Sequence, residues 1–393
     1  MPKSLFGRSG FRRDAAPVTP AIDFHPGHYW ALGKQAAVNG NEMVGLNGWT
    51  GGSPTPETVT KFNWSNRTAL DEFENTPLFR GLVARFTWSE LENDAGTAYT
   101  WDLVDRYFRY CRTAQKRFIL QFVIYADAPG EPLLPAYLLN PTYEGGEWEF
   151  VGNQIANGRR ICYYNQALRN RMIALFNAIG ARYNSEPYFE GMGGGETPLG
   201  TPDPSANMTA ARITQYYEGI KQTINALKDA MPNKMAYNFC NFAEAGNRNQ
   251  DYTRLTSLIT AFRAATIAIG YPDTRMDDRA LNTGLPGSPT PLDFGVYWNM
   301  RNNGRGVTPN ICSVQPSNYE YTGNSAADPL GHLNPTIDEI YNDLLTNFPN
   351  YVFWTRQLPY NTPVVNYLNA NLTPPYGGVI TTPPTGYPTV LFS

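Results

Sequence analysis

Apolar and polar positions along this chain fall into alternating strand-like and helix-like segments. Short apolar runs rich in β-branched and aromatic residues occur at 42–49 (EMVGLNGW), 79–88, 117–127, 188–196, 234–242, 265–273, 311–321 and 351–357. Between several of them the apolar spacing changes to that of a helix. Residues 100–116 place Leu103, Tyr107, Tyr110, Cys111 and Ala114 on one face, with Asp102 early and Lys116 late, as the helix dipole favours. Residues 165–184 repeat this with Leu168, Met172, Leu175 and Ile179; helices are also predicted over 205–232 and 336–348.

Eight strand-like runs alternating with helices predict a parallel sheet, closed as a (β/α)8 TIM barrel. A doubly wound sheet is the competing arrangement, but no G-x-G-x-x-G or G-x-x-x-x-G-K-[ST] stretch follows a strand to support a nucleotide-binding version. The predicted division is an extended N-terminal arm over 1–27, a catalytic barrel over 28–365 and a Pro/Thr/Gly-rich segment over 366–393. Hydrophobic residues make up 42% of the 393, enough for one large core.

A net charge of −3 gives no electrostatic case for nucleic acid or an anionic membrane, and no apolar run reaches the ~20 residues of a membrane span. The four cysteines are widely spaced, so disulfides and buried thiols both stay open. Three histidines, two of them in the His25-Pro-Gly-His28 stretch, make a hydrolytic zinc site a poor expectation, and no metal is predicted. The start is basic without an apolar h-region, so no secretory signal is visible.

In such barrels the chemistry sits at the C-terminal strand ends. Those ends supply Arg85, Trp88, Glu90 and Glu92, Tyr125 and Asp127, Glu196, Asn238, Asn241 and Glu244, Asp273, Gln315, Glu320, and Trp354 with Arg356. Carboxylates, amides, arginines and indoles with hardly a His or Lys suit a sugar: rings stack on aromatics, amides and Arg bind hydroxyls, and two carboxyls do acid–base and nucleophilic work. Gly193, Gly194 and Gly195, just before Glu196, predict a place where a ligand comes close to the backbone. Glu190 lies too far along the same strand to be Glu196's partner.

The stretch holding Arg85, Trp88, Leu91, Glu92, Tyr99, Trp101 and Asp102 resembles the second β/α unit of the large retaining clan of (β/α)8 glycoside hydrolases. The resemblance implies an acid/base Glu at the end of the fourth strand and a nucleophile Glu at the end of the seventh, positions taken by Glu196 and Glu320. It also implies that Trp354 floors a sugar subsite. Gly195 departs from the clan, which usually keeps a sugar-binding Asn directly before the acid/base Glu.

The expectation is a cofactor-free retaining glycosidase acting on a polysaccharide or oligosaccharide. Arg85, Trp88, Asp127, Asn238, Asn241, Asp273, Gln315 and Trp354 would bind substrate. The expected location is extracellular or virion-associated. Two alternatives stand beside this: a virion depolymerase with the same chemistry, partnered by tail proteins, and a barrel that binds carbohydrate without cleaving it.

Overall fold

The computed structural model describes residues 21–32, 72–126, 132–151, 158–197, 199, 201–241, 253–274, 295–319, 335–357, 359–387 and 390–391. A short strand β1 (Ile22–Asp23) precedes the barrel strands β2 (Gly27–Leu32), β3 (Phe79–Phe86) and β4 (Arg117–Phe122). An insertion follows, carrying β5 (Tyr125–Ala126), β6 (Glu147–Val151) and β7 (Gly158–Ile161). The barrel then continues with β8 (Phe189–Gly194). After a two-residue strand β9 (Thr201–Pro202) come β10 (Met235–Phe239), β11 (Ala268–Tyr271), β12 (Asn310–Val314) and β13 (Tyr351–Thr355), and a last strand β14 (Val390–Leu391).

Eight parallel strands close the barrel in the order β2-β3-β4-β8-β10-β11-β12-β13, with β13 pairing back onto β2. Helices Asp102–Thr113, Gln166–Tyr183, Ala210–Ala230, Thr253–Ala264, Ile337–Leu345 and Asn361–Asn371 follow individual barrel strands. This is the (β/α)8 architecture that the alternation predicts. Seven of the eight expected strands coincide with barrel strands. The first does not: β2 occupies the place between β13 and β3, and the 42–49 run lies outside the described residues.

The interior is filled by side chains at every second position. Tyr29, Val83, Ile119, Met235, Tyr237, Phe239, Ala268, Ile311, Tyr351 and Phe353 form one buried cluster, while Trp30, Leu82, Leu120, Ala236, Ile269, Cys312 and Trp354 join the larger cluster between strands and helices. Large and small residues match across the strand pairs. Tyr29 is in register with Gly81, Tyr237 with Gly193 and Phe239 with Gly270. A Cβ on Gly81 or Gly193 would overlap the facing ring, and one on Gly270 would come within 3.1 Å of Phe239. Glycine is what lets aromatic rings pack a barrel interior to normal density.

The lower end of the barrel is plugged. β1 pairs with β14, and Ile22, Phe24 and Tyr387 join the interior cluster. Glu190, wholly buried, accepts hydrogen bonds from the His25 backbone N–H (2.8 Å) and the Tyr351 hydroxyl (2.6 Å), and pairs with His25 Nδ1 at 2.6 Å. Burial alone would raise this carboxyl. The charge and hydrogen bond of His25, with the Tyr351 hydroxyl, outweigh burial and bring it down to about 2. Asp23 and Lys234 form a second buried ion pair beside it. All four cysteines are free and buried.

Candidate active site

Glu196 stands two residues beyond β8, at the C-terminal mouth of the barrel, and is half-buried. Three side chains from other strand ends converge on it. The Tyr125 hydroxyl donates to Oε1 at 3.0 Å, the Gln315 amide donates to Oε1 at 3.2 Å, and the Asn241 amide donates to Oε2 at 2.8 Å. Tyr125 comes from β5, just after β4. Asn241 follows β10, and Gln315 follows β12. Asn241 is held in turn by the Thr197 hydroxyl, which donates to Oδ1 at 3.4 Å. Gln315 begins a helical turn in which the Asn318 side chain accepts from the Gln315 and Thr274 backbone N–H groups at 2.6 and 3.1 Å. Four barrel segments thus fix the orientation of one carboxyl, an arrangement suited to acting on a bound ligand.

Arg85 lies inside the upper rim of β3, where its Nε donates to Gln121 Oε1 at 3.2 Å. Asp273, just past the end of β11, is joined to this group through Asn318, whose Nδ2 donates to its carboxyl at 3.4 Å, and the Tyr297 hydroxyl donates to its carbonyl at 2.5 Å. Asp127, Glu244 and Glu320 lie outside the described residues.

Three expectations need correction. Trp354 is not a sugar floor. Its neighbours Tyr351 and Phe353 alternate inward, which turns Trp354 outward into the strand–helix layer at 0% exposure, where Nε1 donates to His28 Nδ1 at 2.9 Å. Trp88 is equally buried, and its Nε1 donates to Glu92 Oε2 at 2.7 Å, while the other oxygen of Glu92 pairs with Arg171. That stretch of the chain braces the segment after β3. Asn238 sits between inward-facing Tyr237 and Phe239, so it faces the helices, and its amide donates to the Phe239 carbonyl at 2.9 Å.

The three glycines before Glu196 also serve packing. Besides Gly193 under Tyr237, a Cβ on Gly194 would stand 2.5 Å from Asn238 Oδ1, and one on Gly195 would stand 2.8 Å from Ile124 Cγ1. The room they leave is taken by the protein's own side chains.

β5, β6, β7 and β9 form a four-stranded antiparallel sheet over the mouth in the order β5-β7-β6-β9. β5 falls inside the predicted 117–127 run; β6, β7 and β9 are unexpected, though Glu147–Val151 alternates polar and apolar residues. A cavity of about 500 Å³ lies against this sheet, lined by Glu144, Glu147, Arg159, Tyr164 and Arg212 among others. Four of its five charged residues pair with one another, Glu147 with Arg159 at 2.5 Å and Glu144 with Arg212 at 2.6 Å, and none of the residues around Glu196 lines it.

No protein-family model matches the chain, and no curated protein matches its sequence. Solved structures do match. The catalytic domain of beta-amylase from Paenibacillus polymyxa is similar with a TM-score of 0.52 at 8% identity, over 89% of this chain and 99% of that one. An exo-beta-1,4-mannosidase from Opitutaceae bacterium strain TAV5 gives 0.46 at 10% identity, over 90% of this chain and 57% of that one. A broad-specificity endoglucanase from an uncultured bacterium gives 0.46 at 12% identity, over 90% of this chain and 97% of that one. At 8% identity the likeness is one of architecture: the chain shares the fold of the beta-amylase catalytic domain.

Proposed function

We propose that this protein is a glycoside hydrolase whose acid/base group is Glu196. The observation that carries the reading is the convergence of Tyr125, Asn241 and Gln315 on a single half-buried carboxyl at the barrel mouth. The shared fold with a beta-amylase supports it by analogy. In the retaining form of the proposal, the Glu320 carboxylate attacks the anomeric carbon while Glu196 gives its proton to the departing glycosidic oxygen. Glu196 then takes a proton from water as that water releases the glycosyl-enzyme.

The test is reducing-end release from a panel of oligosaccharides and polysaccharides. Glu196→Gln is expected to lower turnover on natural glycans by about 10²–10⁴-fold. The loss should be smaller on aryl glycosides, whose leaving groups need less acid assistance. Equal activity of variant and wild type on a natural glycan overturns the assignment. The first-formed anomer, read by NMR, is expected to keep the substrate's configuration; an inverted product removes Glu320 as nucleophile.

A further inference from the structure

Arg160 lies on β7, paired with Tyr125 of β5 on one side and Trp148 of β6 on the other. It is 4% exposed, with its guanidinium carbon 5.1 Å from the Tyr125 ring centre and 4.7 Å from that of Phe150. Ring faces attract a cation but bring no opposite charge. Its neighbour Arg159 has a carboxylate in Glu147. Arg160 makes no ion pair among the described residues, and its Nε and Nη1 are buried without a hydrogen-bond partner.

This cation belongs to the same neighbourhood as Glu196. Tyr125 packs its ring on Arg160 and donates its hydroxyl to Glu196 Oε1. Burial raises the Tyr216 phenol, Arg160 opposes that shift and Glu196 adds to it, so both charges reach one hydroxyl. Arg85, another guanidinium at the rim, donates to the neutral Gln121.

A guanidinium withdrawn from water is costly unless an anion meets it, and its fork matches the oxygens of a carboxylate or sulfate. The hydroxyls of a neutral sugar supply no such charge. We propose that the site takes anionic glycans, with Arg160 meeting an oxyanion substituent (a uronic acid carboxylate or a sulfate ester) on a sugar neighbouring the one Glu196 acts on. That the ligand is a glycan rests on the glycosidase reading; that it is anionic rests on the unneutralised cation.

Thermal denaturation of the full chain with sodium glucuronate, sodium sulfate, or glucose with sodium chloride at equal ionic strength tests the charge. At about ten times the dissociation constant, glucuronate or sulfate is expected to raise the wild-type Tm by about 2 °C over the glucose control, and Arg160→Gln is expected to abolish the rise. A response to glucuronate alone points to a uronic acid, and one to sulfate alone to a sulfate ester. No anion-specific rise, or the same rise in the variant, overturns the proposal. Should Arg160→Gln not fold, the wild type decides: hydrolysis of an acidic glycan should fall at least tenfold after carboxyl reduction or desulfation. Equal or faster hydrolysis of the neutralised glycan overturns the anionic subsite and leaves the glycosidase reading standing. An anion-specific rise with no glycan hydrolysed overturns the glycosidase reading and leaves the subsite standing.

Discussion

Tyr237 and Gly193 face each other across β10 and β8, and the ring occupies the space a side chain on Gly193 would need. Gly193→Ala is therefore expected to destabilise the fold by about 1–3 kcal/mol, since an overpacked core answers with off-rotamer side chains. Gly195→Ala should cost less, because only the Ile124 side chain must move. Chemical denaturation of both variants checks the order. A Gly193→Ala protein that is fully stable but inactive would return these glycines to the ligand. Residue identities alone suggested a cleared space; which neighbour filled it depended on a register that no local pattern carries. The outward turn of Trp354 was more legible. In YVFWT, Tyr351 and Phe353 share one face and Trp354 takes the other.

At the scale of elements, His28 ties three segments together. On β2, its Nδ1 accepts from Trp354 of β13, which fixes the ring proton on Nε2, and Nε2 donates to the Gly377 carbonyl at 3.1 Å. A second proton at Nδ1 would break the bond from Trp354. Burial pushes the imidazole down to about 4, against the smaller opposing effect of the Gly377 and Tyr376 carbonyls. Between pH 6.5 and about 4 the unfolded chain takes up a proton that the folded chain refuses, so stability falls as pH falls through that window. The loss attributable to His28 is about 3 kcal/mol. Denaturant unfolding at pH 7 and pH 4 should show it, and His28→Gln should be less stable at pH 7 but show a smaller loss between the two values. In sequence, His28 stands at the edge of an arm-like Pro/Gly stretch, which hides the six-residue strand GHYWAL and the role of this histidine with it. The helix Asn361–Asn371 was missed for a related reason: Pro363 near its start and scattered apolar positions mask its period.

Across the whole molecule the first and last of the described strands, β1 and β14, meet beneath the barrel. Tyr387 is 4% exposed in the interior cluster and packs edge-on against Phe24 at 6.1 Å between ring centres, while its hydroxyl has no hydrogen-bond partner among the described residues. Tyr387→Ala is expected to cost about 3–5 kcal/mol, and Tyr387→Phe close to nothing. Equal Tm losses in the two variants would mean that the hydroxyl matters after all. This plug joins segments hundreds of residues apart, which is why the alternating strand–helix order revealed the barrel but not what seals it. The same holds for the mouth, where Tyr125, Asn241 and Gln315 reach Glu196 from strands scattered along the chain.

The pairing of β2 with β13 also sets a timetable for the newborn chain. Leu32 leaves the ribosome long before Tyr351 is made. At about 5–20 residues per second, roughly 15 seconds to a minute passes before the eighth strand exists. Throughout that interval the edge of β2 that will receive β13 has no native partner and offers a row of backbone donors and acceptors to any other strand in reach. Slowing translation would lengthen that exposure. Production in a cell should therefore depend on holdase chaperones more than the stability of the finished barrel suggests.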